Sequence, residues 1–370
     1  MKTSRLSVIA VALLAIMMGS CGKDNSFADE LTTLKQVKFP EIAEQVKSSI
    51  PTGRVRGNKK EVVQTIAKQQ TLIPVQIVDG KDLDVIFPGS VLDGESFLNG
   101  VYNPLVINSP REVILSTTLQ GPNAVIKTKT IPVISDVREK INKLVSQNAT
   151  TIDFNNTAAY LTYMSNEVTT IESFSKSFGI HAKIDVLAGL VKGNFSYEEK
   201  SLTINSKKYV LIKVRQQFYN VTVDPKNANE WGDIQNIGGY EPVYISSVDY
   251  GRVAHLLVQT DESSAEVTKT IKAGISASFP KIGGSVNLDE QNTARKYFSD
   301  KKIQIMIAGG PLSVAKHVSD YDSFMMFLQN PSSEDLVRSS APIGYKVRTL
   351  KDNREVEVRT MYTEQRFDYE

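Results

Sequence analysis

Three histidines (His181, His255 and His317) and a single cysteine (Cys21) are the side chains of this chain best suited to holding a metal or attacking a carbonyl. A zinc site needs several such ligands at short, regular spacings, and a hydrolytic nucleophile needs a base within hydrogen-bond reach. The histidines stand isolated in sequence, none in an HExxH or comparable cluster. The chain has no G-x-S-x-G elbow, no P-loop and no Rossmann fingerprint. Its glycine pairs at 238–239, 283–284 and 309–310 lack the spacing or the lysine of a phosphate cradle. Carboxylates are common, yet no sequence pair stands out as an acid and its base. The chain therefore reads as non-enzymatic, with no cofactor and no metal.

Cys21 points to a different chemistry. "MKTSRLSVIAVALLAIMMGSC" opens with Lys2 and Arg5 and continues as an apolar run from Leu6 to Met18. Thirteen residues are too few to cross a bilayer as a helix but suit the core of a signal peptide. The run ends in Met18-Gly19-Ser20-Cys21, which resembles a bacterial lipobox, in which the Cys is diacylated and becomes the mature N-terminus. The alternative is a secretory signal with an incidental Cys. No other cysteine remains for a disulfide, so the exported protein must be held by its core. "GKDNSFADELTT" then reads as a polar tether.

The chain has 370 residues, 41% hydrophobic and 23% charged, with 43 Lys+Arg against 41 Asp+Glu. Removing Lys2 and Arg5 with the leader leaves a nearly neutral protein, which argues against nucleic-acid binding through charge. "PTGRVRGNKK" breaks the pattern before "VVQTIAKQQTLIPVQIV", which predicts extended strands, and "FPGS" (87–90) predicts a turn. "VREKINKLVSQN" (137–148) predicts a helix with Val137, Ile141, Leu144 and Val145 on one face, and 160–180 predicts another. Runs at 208–223, 241–260 and 301–310 predict strands, and Lys351-Asp352-Asn353 predicts a hairpin. The reading is α+β with long, mostly antiparallel strands.

Two segments satisfy both periods at once. In "VTKTIKAGISASFPKIGGSVNLDE" (267–290), Val267, Ile271 and Ile275 recur at helical spacing. Ile271, Ala273, Ile275, Ala277 and Phe279 also alternate with Lys272, Gly274, Ser276 and Ser278, as in a strand with one apolar face. The alternation resumes beyond Pro280 at Ile282, Gly284, Val286 and Leu288, now on even numbers. A two-residue connection at Pro280-Lys281 would bring the two apolar sets onto one face of a hairpin. In "GIHAKIDVLAGLV" (179–191), Ile180, Ala182, Ile184, Val186, Ala188 and Leu190 alternate with His181, Lys183 and Asp185, while Ile180, Ile184, Leu187 and Val191 fit a helix. Each arm is about nine residues, near the ~9–11 a tilted strand needs to cross a bilayer. A lone hairpin could not insert, because unpaired edge groups in lipid are costly, so insertion demands a barrel built by many subunits. Small helices covering a sheet would give much of the same pattern.

At "VRQQFYNVTVD" (214–224) and "EPVYISSVDYGR" (241–252) the sequence resembles the cholesterol-dependent, or thiol-activated, cytolysins of the MACPF/CDC superfamily. Further matches are "IAGG" (307–310), "IFPGSVL" (86–92) and "PIGYKVRTLKDN" (342–353), in register from about residue 50 onward. The resemblance implies a bent, mostly antiparallel central sheet flanked by helical bundles, with a partial elongated β domain. It implies two bundles, near 176–210 and 262–300, that unfurl into membrane hairpins of an oligomeric barrel. The implied organisation is a signal peptide (1–20), a lipid-anchor tether (21–50) and an elongated β segment (51–78 and 357–370). A scaffold (79–175, 222–261 and 331–356) and a pore-forming region (176–221 and 262–330) complete it. Gly309-Gly310 matches the family's glycine pair at the sheet bend, and Tyr250-Gly251-Arg252 its signature at a strand end. The family's Trp-rich cholesterol-binding loop finds no match before Glu370, and Trp231 is the one Trp, so intrinsic cholesterol recognition is not expected. The expected partners are a target membrane and copies of this chain or a longer cytolysin-like companion, not nucleic acid. The expected location is outside the cell or anchored at the bacterial surface. A surface lipoprotein that keeps the scaffold for adhesion or protein binding is the alternative.

Overall fold

The computed structural model describes residues 27–77, 82–121, 125–147, 160–168, 181, 208–260, 262, 264–278, 288–300, 302–310, 318–329 and 333–370. In chain order the first elements are α1 (Phe27–Thr32), β1 (Gln45–Arg56), β2 (Lys59–Leu72), β3 (Val75–Gln76), β4 (Val91–Leu92) and α2 (Gly94–Leu98). There follow β5 (Ile107–Asn108), β6 (Val113–Thr117), β7 (Lys127–Thr130), α3 (Ile134–Gln147), β8 (Tyr160–Val168), β9 (Lys208–Val223) and β10 (Asp233–Ile234). The last are β11 (Val243–Thr260), α4 (Ser264–Ser278), α5 (Leu288–Asp300), β12 (Lys302–Ala308), α6 (Tyr321–Gln329), α7 (Ser333–Arg338), β13 (Ala341–Thr349) and β14 (Val358–Tyr369).

Two strands organise the molecule. β9 and β11 run for 16 and 18 residues, where a strand of about five or six is usual. They pair antiparallel along Lys208–Thr222 and Ser247–Thr260, and each changes its outer partner half-way. β11 pairs β13 through Val243–Gly251, then β12 through Val253–Gln259. β9 pairs β6 at Val221–Val223 and β8 along Tyr209–Gln217. One nine-stranded sheet thus has two halves in series on two continuous strands: a lower half with β3, β4, β6, β7 and β13, and an upper half with β8 and β12. β11 is buried along nearly its whole length, which is why its sequence is rich in Val, Ile and Leu on both faces.

Each half has its own core. In the lower half Trp231, Tyr244, Phe97 and Leu115 are fully enclosed. The stripe predicted for α3, Val137, Ile141, Leu144 and Val145, is its buried face. The upper core is separate and lies between the sheet and helices α4, α5 and α6. Beside them β1, β2 and β14 form a three-stranded sheet with β2 in the middle.

Several expectations need correction. Tyr160–Val168 is not helical but is strand β8, paired residue for residue with β9. Its apolar spacing fits a helix, yet Tyr160, Tyr163 and Val168 are good strand formers and the exposed edge of β9 decides the outcome; residues 169–180 lie outside the described residues. The pattern break at 51–60 lies within a hairpin: pairing of β1 with β2 slips between Pro51 and Val55, where Gly53 has φ 83°, β1 continues to Arg56, and the turn is at Gly57 (φ 64°) and Asn58. Residues 27–39 are not a free tether, because Leu31, Val37 and Phe39 are buried in the lower core. The turn at 351–353 forms, with Asn353 at φ 58° and Arg348 bridging to Glu355. Its two arms then part, β13 into the central sheet and β14 into the three-stranded one.

Candidate functional site: the sheet bend and the helices above it

The junction of the two halves is built from bulges and glycines. On β9, Tyr219 opposes Tyr250 and Gln217 opposes Gly251, which leaves Phe218 unopposed. On β13, Gly344 opposes Asp249 and Pro342 opposes Tyr250, which leaves Ile343 unopposed. Both neighbours of β11 therefore carry an extra residue at the same level, and bulges bend and twist a sheet where they occur. A Cβ on Gly251 would sit 2.0 Å from the Gln216 carbonyl oxygen, so no other residue fits there. Gly309 (φ 78°) lies against it, where a Cβ would be 2.3 Å from the Gly251 oxygen. Gly310 (φ 84°) turns the chain away from β12 beneath the Phe327 ring and donates its N–H to the Ser339 carbonyl at 3.0 Å.

Arg252 fastens the covering helix to this bend. Its side chain is 1% exposed. Nε donates to Gln216 Oε1 at 2.5 Å, Nη2 to the Leu328 carbonyl at 2.6 Å, and Nη1 to the Phe327 carbonyl. The guanidinium also lies over the Phe327 ring, 4.7 Å from its centroid. These carbonyls belong to the last turn of α6, where a cation meets the negative end of the helix dipole. Burial lowers the Arg252 pKa to about 10, so it remains charged at neutral pH. Just below, Tyr219 and Tyr250 stack with planes 2° apart and line a depression shared with Val137 and Ile141 of α3.

Above the bend, one face of the upper sheet is apolar. Register places Ala254, Val214 and Ile307 side by side, then Leu256, Ile212 and Ile305, then Val258, Val210 and Ile303. On these rows rest Val267 and Ile271 of α4, Ala294, Tyr297 and Phe298 of α5, and Tyr321, Phe324 and Phe327 of α6. α4 and α5 touch at small residues: a Cβ on Gly274 would be 2.3 Å from that of Ala294. Tyr321 Oη donates to the Gly274 carbonyl at 3.0 Å, and Arg295 pairs with Asp322 at 2.7 Å on the surface.

The opposite face of the same strands is also buried and sets polar groups among Leu211, Val253 and Leu257. Lys213 opposes His255, and both are at most 5% exposed. Arg215 pairs with Asp249 at 2.5 Å, and Asp249 also accepts from Gln217 at 3.0 Å and Asn220 at 2.7 Å. Burial, with Arg215 adding to it, lowers Lys213 to about 8. Burial first, and Lys213 second, lowers His255 to about 3. Sequence reasoning missed this cluster. Lys213, Arg215 and Gln217 do alternate with the apolar residues of β9, but alternation says only that a face is polar, not that it is enclosed.

Of the residues expected to enter a membrane, Ile271 is fully buried against the sheet, Ala273 is half-buried, and Leu288 is exposed at the start of α5. Ile275 and Ala277 lie on α4. Phe279, Val286, Ile180, Ala182, Ile184, Val186, Ala188 and Leu190 lie outside the described residues, as do Cys21 and His317. The structure brings Gly251, Arg252, Gly309 and Gly310 together at one point, with Tyr250 directly below. Among the described residues no group of His, Cys, Asp and Glu is arranged to hold a metal, and no helix is long and apolar enough to cross a membrane, which says nothing of crossing by strands.

A family model described as thiol-activated cytolysin matches residues 42–367. Perfringolysin O of Clostridium perfringens is 24% identical, over 95% of this chain and 73% of its own length. Streptolysin O of Streptococcus pyogenes is 22% identical, over 87% of this chain and 57% of its own length. The crystal structure of the human-specific toxin intermedilysin superposes with a TM-score of 0.63 at 21% identity, covering 93% of this chain and 73% of that one.

Proposed function

The chain belongs to the thiol-activated cytolysin family, and from that premise we propose that it forms membrane pores by converting α4 and α5 into a transmembrane β-hairpin. The observation that carries this reading is the double periodicity of 267–288, on a helix pair that rests against the upper sheet beside a hinge of glycines. Segment 180–190, with the same property, supplies one arm of a second hairpin. Gly309 and Gly310 let the chain after β12 swing with α6, and Tyr250-Gly251-Arg252 holds that cover shut in the soluble form.

The energetics suit an exchange. Val267, Ile271, Tyr297 and Phe298 each gain roughly 1.5–3 kcal/mol from burial against the sheet and its helices. Side chains that turn to lipid in the hairpin regain a comparable amount, so the balance is decided by strand pairing. A hairpin in lipid needs both its edges paired, and copies of this chain, or a longer cytolysin-like companion, provide those edges. No catalysis and no cofactor is needed. The protein is exported, and Cys21, once acylated, tethers it to the bacterial surface or outer membrane.

The test is a polarity-sensitive fluorophore on a cysteine at position 275, in the full chain with Cys21→Ser, added to liposomes with dye leakage followed in parallel. The expected result is a shift to an apolar signal, quenched by nitroxide lipids, at the time of leakage. A probe that stays in water while rings assemble would overturn the reading and favour the adhesion alternative.

A further inference from the structure

Tyr219 and Tyr250 lie at the base of the depression just below the bend, and neither the fold nor the proposed pore uses their hydroxyls. The two residues oppose each other across β9 and β11, and their rings stack with centroids 4.9 Å apart. They are 4% and 9% exposed, yet among the described residues neither hydroxyl has a hydrogen-bond partner. Buried hydroxyls are normally bonded, because leaving water without a new partner is costly. A phenol O–H can donate one hydrogen bond and accept others. Two of them side by side, nine-tenths buried and with that capacity unused, mark a place where an acceptor belongs.

The walls define the acceptor. The depression measures about 290 Å³ and lies between the sheet, α3 and α7, at the small end of the ~300–1,000 Å³ typical of ligand sites. Ile86, Phe87, Ile141 and Val145 give it an apolar lining, and Arg138 of α3 and Arg338 of α7 are its exposed cations. Arg138 donates through Nη2 to the Leu83 carbonyl at 2.9 Å and keeps its whole charge, whereas Arg338 is paired with Glu334 at 2.6 Å. The balance is one positive charge, which suits a monoanion better than a phosphate dianion. The Arg138 charge is also felt at the Tyr250 hydroxyl: burial raises the Tyr250 pKa, and Arg138 opposes that rise. Guanidinium and phenol thus address the same point, and hydrogen bonds from such donors to an oxyanion are the strong ones. We propose that this depression binds a small amphiphilic carboxylate of the medium-chain fatty-acid class, its head held by Arg138 and the two tyrosine hydroxyls and its chain lying against Ile86, Ile141 and Val145. The site stands whether or not the chain makes pores.

The test uses the full chain labelled with 3-fluorotyrosine and followed by fluorine NMR at pH 7. Tyr219→Phe and Tyr250→Phe each delete one resonance, which assigns the pair, and both variants keep the stacked rings. Sodium octanoate, octanol and sodium acetate are titrated in turn. Octanoate should shift both resonances saturably. Octanol lacks the charge and acetate the chain, so each should bind at least about tenfold more weakly. Arg138→Gln should weaken octanoate by about tenfold or more, and Tyr219→Phe, read at Tyr250, by a similar factor, the usual loss of one hydrogen bond to a charged group. Absence of a saturable shift with octanoate would overturn the site. Octanol binding as tightly as octanoate would reduce it to an apolar cleft, and acetate doing so would reduce it to an anion site; either result overturns the amphiphile. Undiminished octanoate affinity in Arg138→Gln would overturn the assignment of the head group.

Discussion

Arg252 aims a full positive charge at backbone carbonyls of a helix end, and so acts as a clasp between β11 and α6. Replacing it with Met leaves the Gln216, Phe327 and Leu328 acceptors without their donor in a dry site. Arg252→Met should lower folding stability by about 3 kcal/mol in urea titrations; a change within experimental error would mean that the clasp carries no strain. His255 gives a pH dependence. Its folded value of about 3 lies below the ordinary 6.5, so the stability tied to its neutral form is full above about 6.5 and is lost as pH falls toward 3. Lys213, lowered to about 8, loses its own contribution between 10.5 and 8 and adds no slope in acid. Between pH 7 and pH 5 the protein should lose about 2 kcal/mol through His255, and His255→Gln should flatten that part of the pH profile. None of this was legible at single residues. The signature Tyr250-Gly251-Arg252 marks the position, but the partners of Arg252 stand 36 residues before it and 75 and 76 after it, and only the fold joins them.

The helices explain why one stretch can carry two periods. A spacing of four places residues on one face of a helix and, being even, also on one face of a strand. Val267 and Ile271 on α4, and Ala294 and Phe298 on α5, are buried pairs at that spacing, odd-numbered in the first arm and even-numbered in the second. With a two-residue turn at Pro280-Lys281, position 267 would oppose 294 and position 271 would oppose 290. A nitroxide scan through 270–279 should therefore show a period near 3.6 in solution and a period of 2 on membranes, with 271, 273, 275 and 277 in lipid. A helical period persisting on leaking liposomes would exclude the hairpin. At this scale the sequence was informative: the stripe of α3, the turn at 87–90 and the long strands were all readable from pattern. It misled at 160–168, where apolar residues fit a helix but β9 offers an unpaired edge, because pairing across 40 or more residues leaves no local trace.

The whole molecule is two cores joined by two strands. The lower core contains Trp231, Tyr244 and α3, the upper one α4, α5 and α6, and among the described residues β9 and β11 alone run through both. The upper half is closed by helices meeting at Gly274 and Ala294 and by the Arg252 clasp; the lower half is closed by α3 and by large aromatic side chains such as Trp231, Tyr244 and Phe97. Rearranging one half while keeping the other is mechanically possible because the bulges at Phe218 and Ile343 and the glycines at 251, 309 and 310 are concentrated between them. Such a division should appear in calorimetry as two transitions. Phe324 of α6 is fully buried in the upper core alone. Truncating a buried Phe costs about 3–5 kcal/mol, so Phe324→Ala should lower the first transition by about 10 °C or more. The second transition, set by the lower core, should stay where it is. If instead a single transition moves as one, the two halves are energetically one body, and an upper half that reorganises on a standing lower half is the wrong description of this protein.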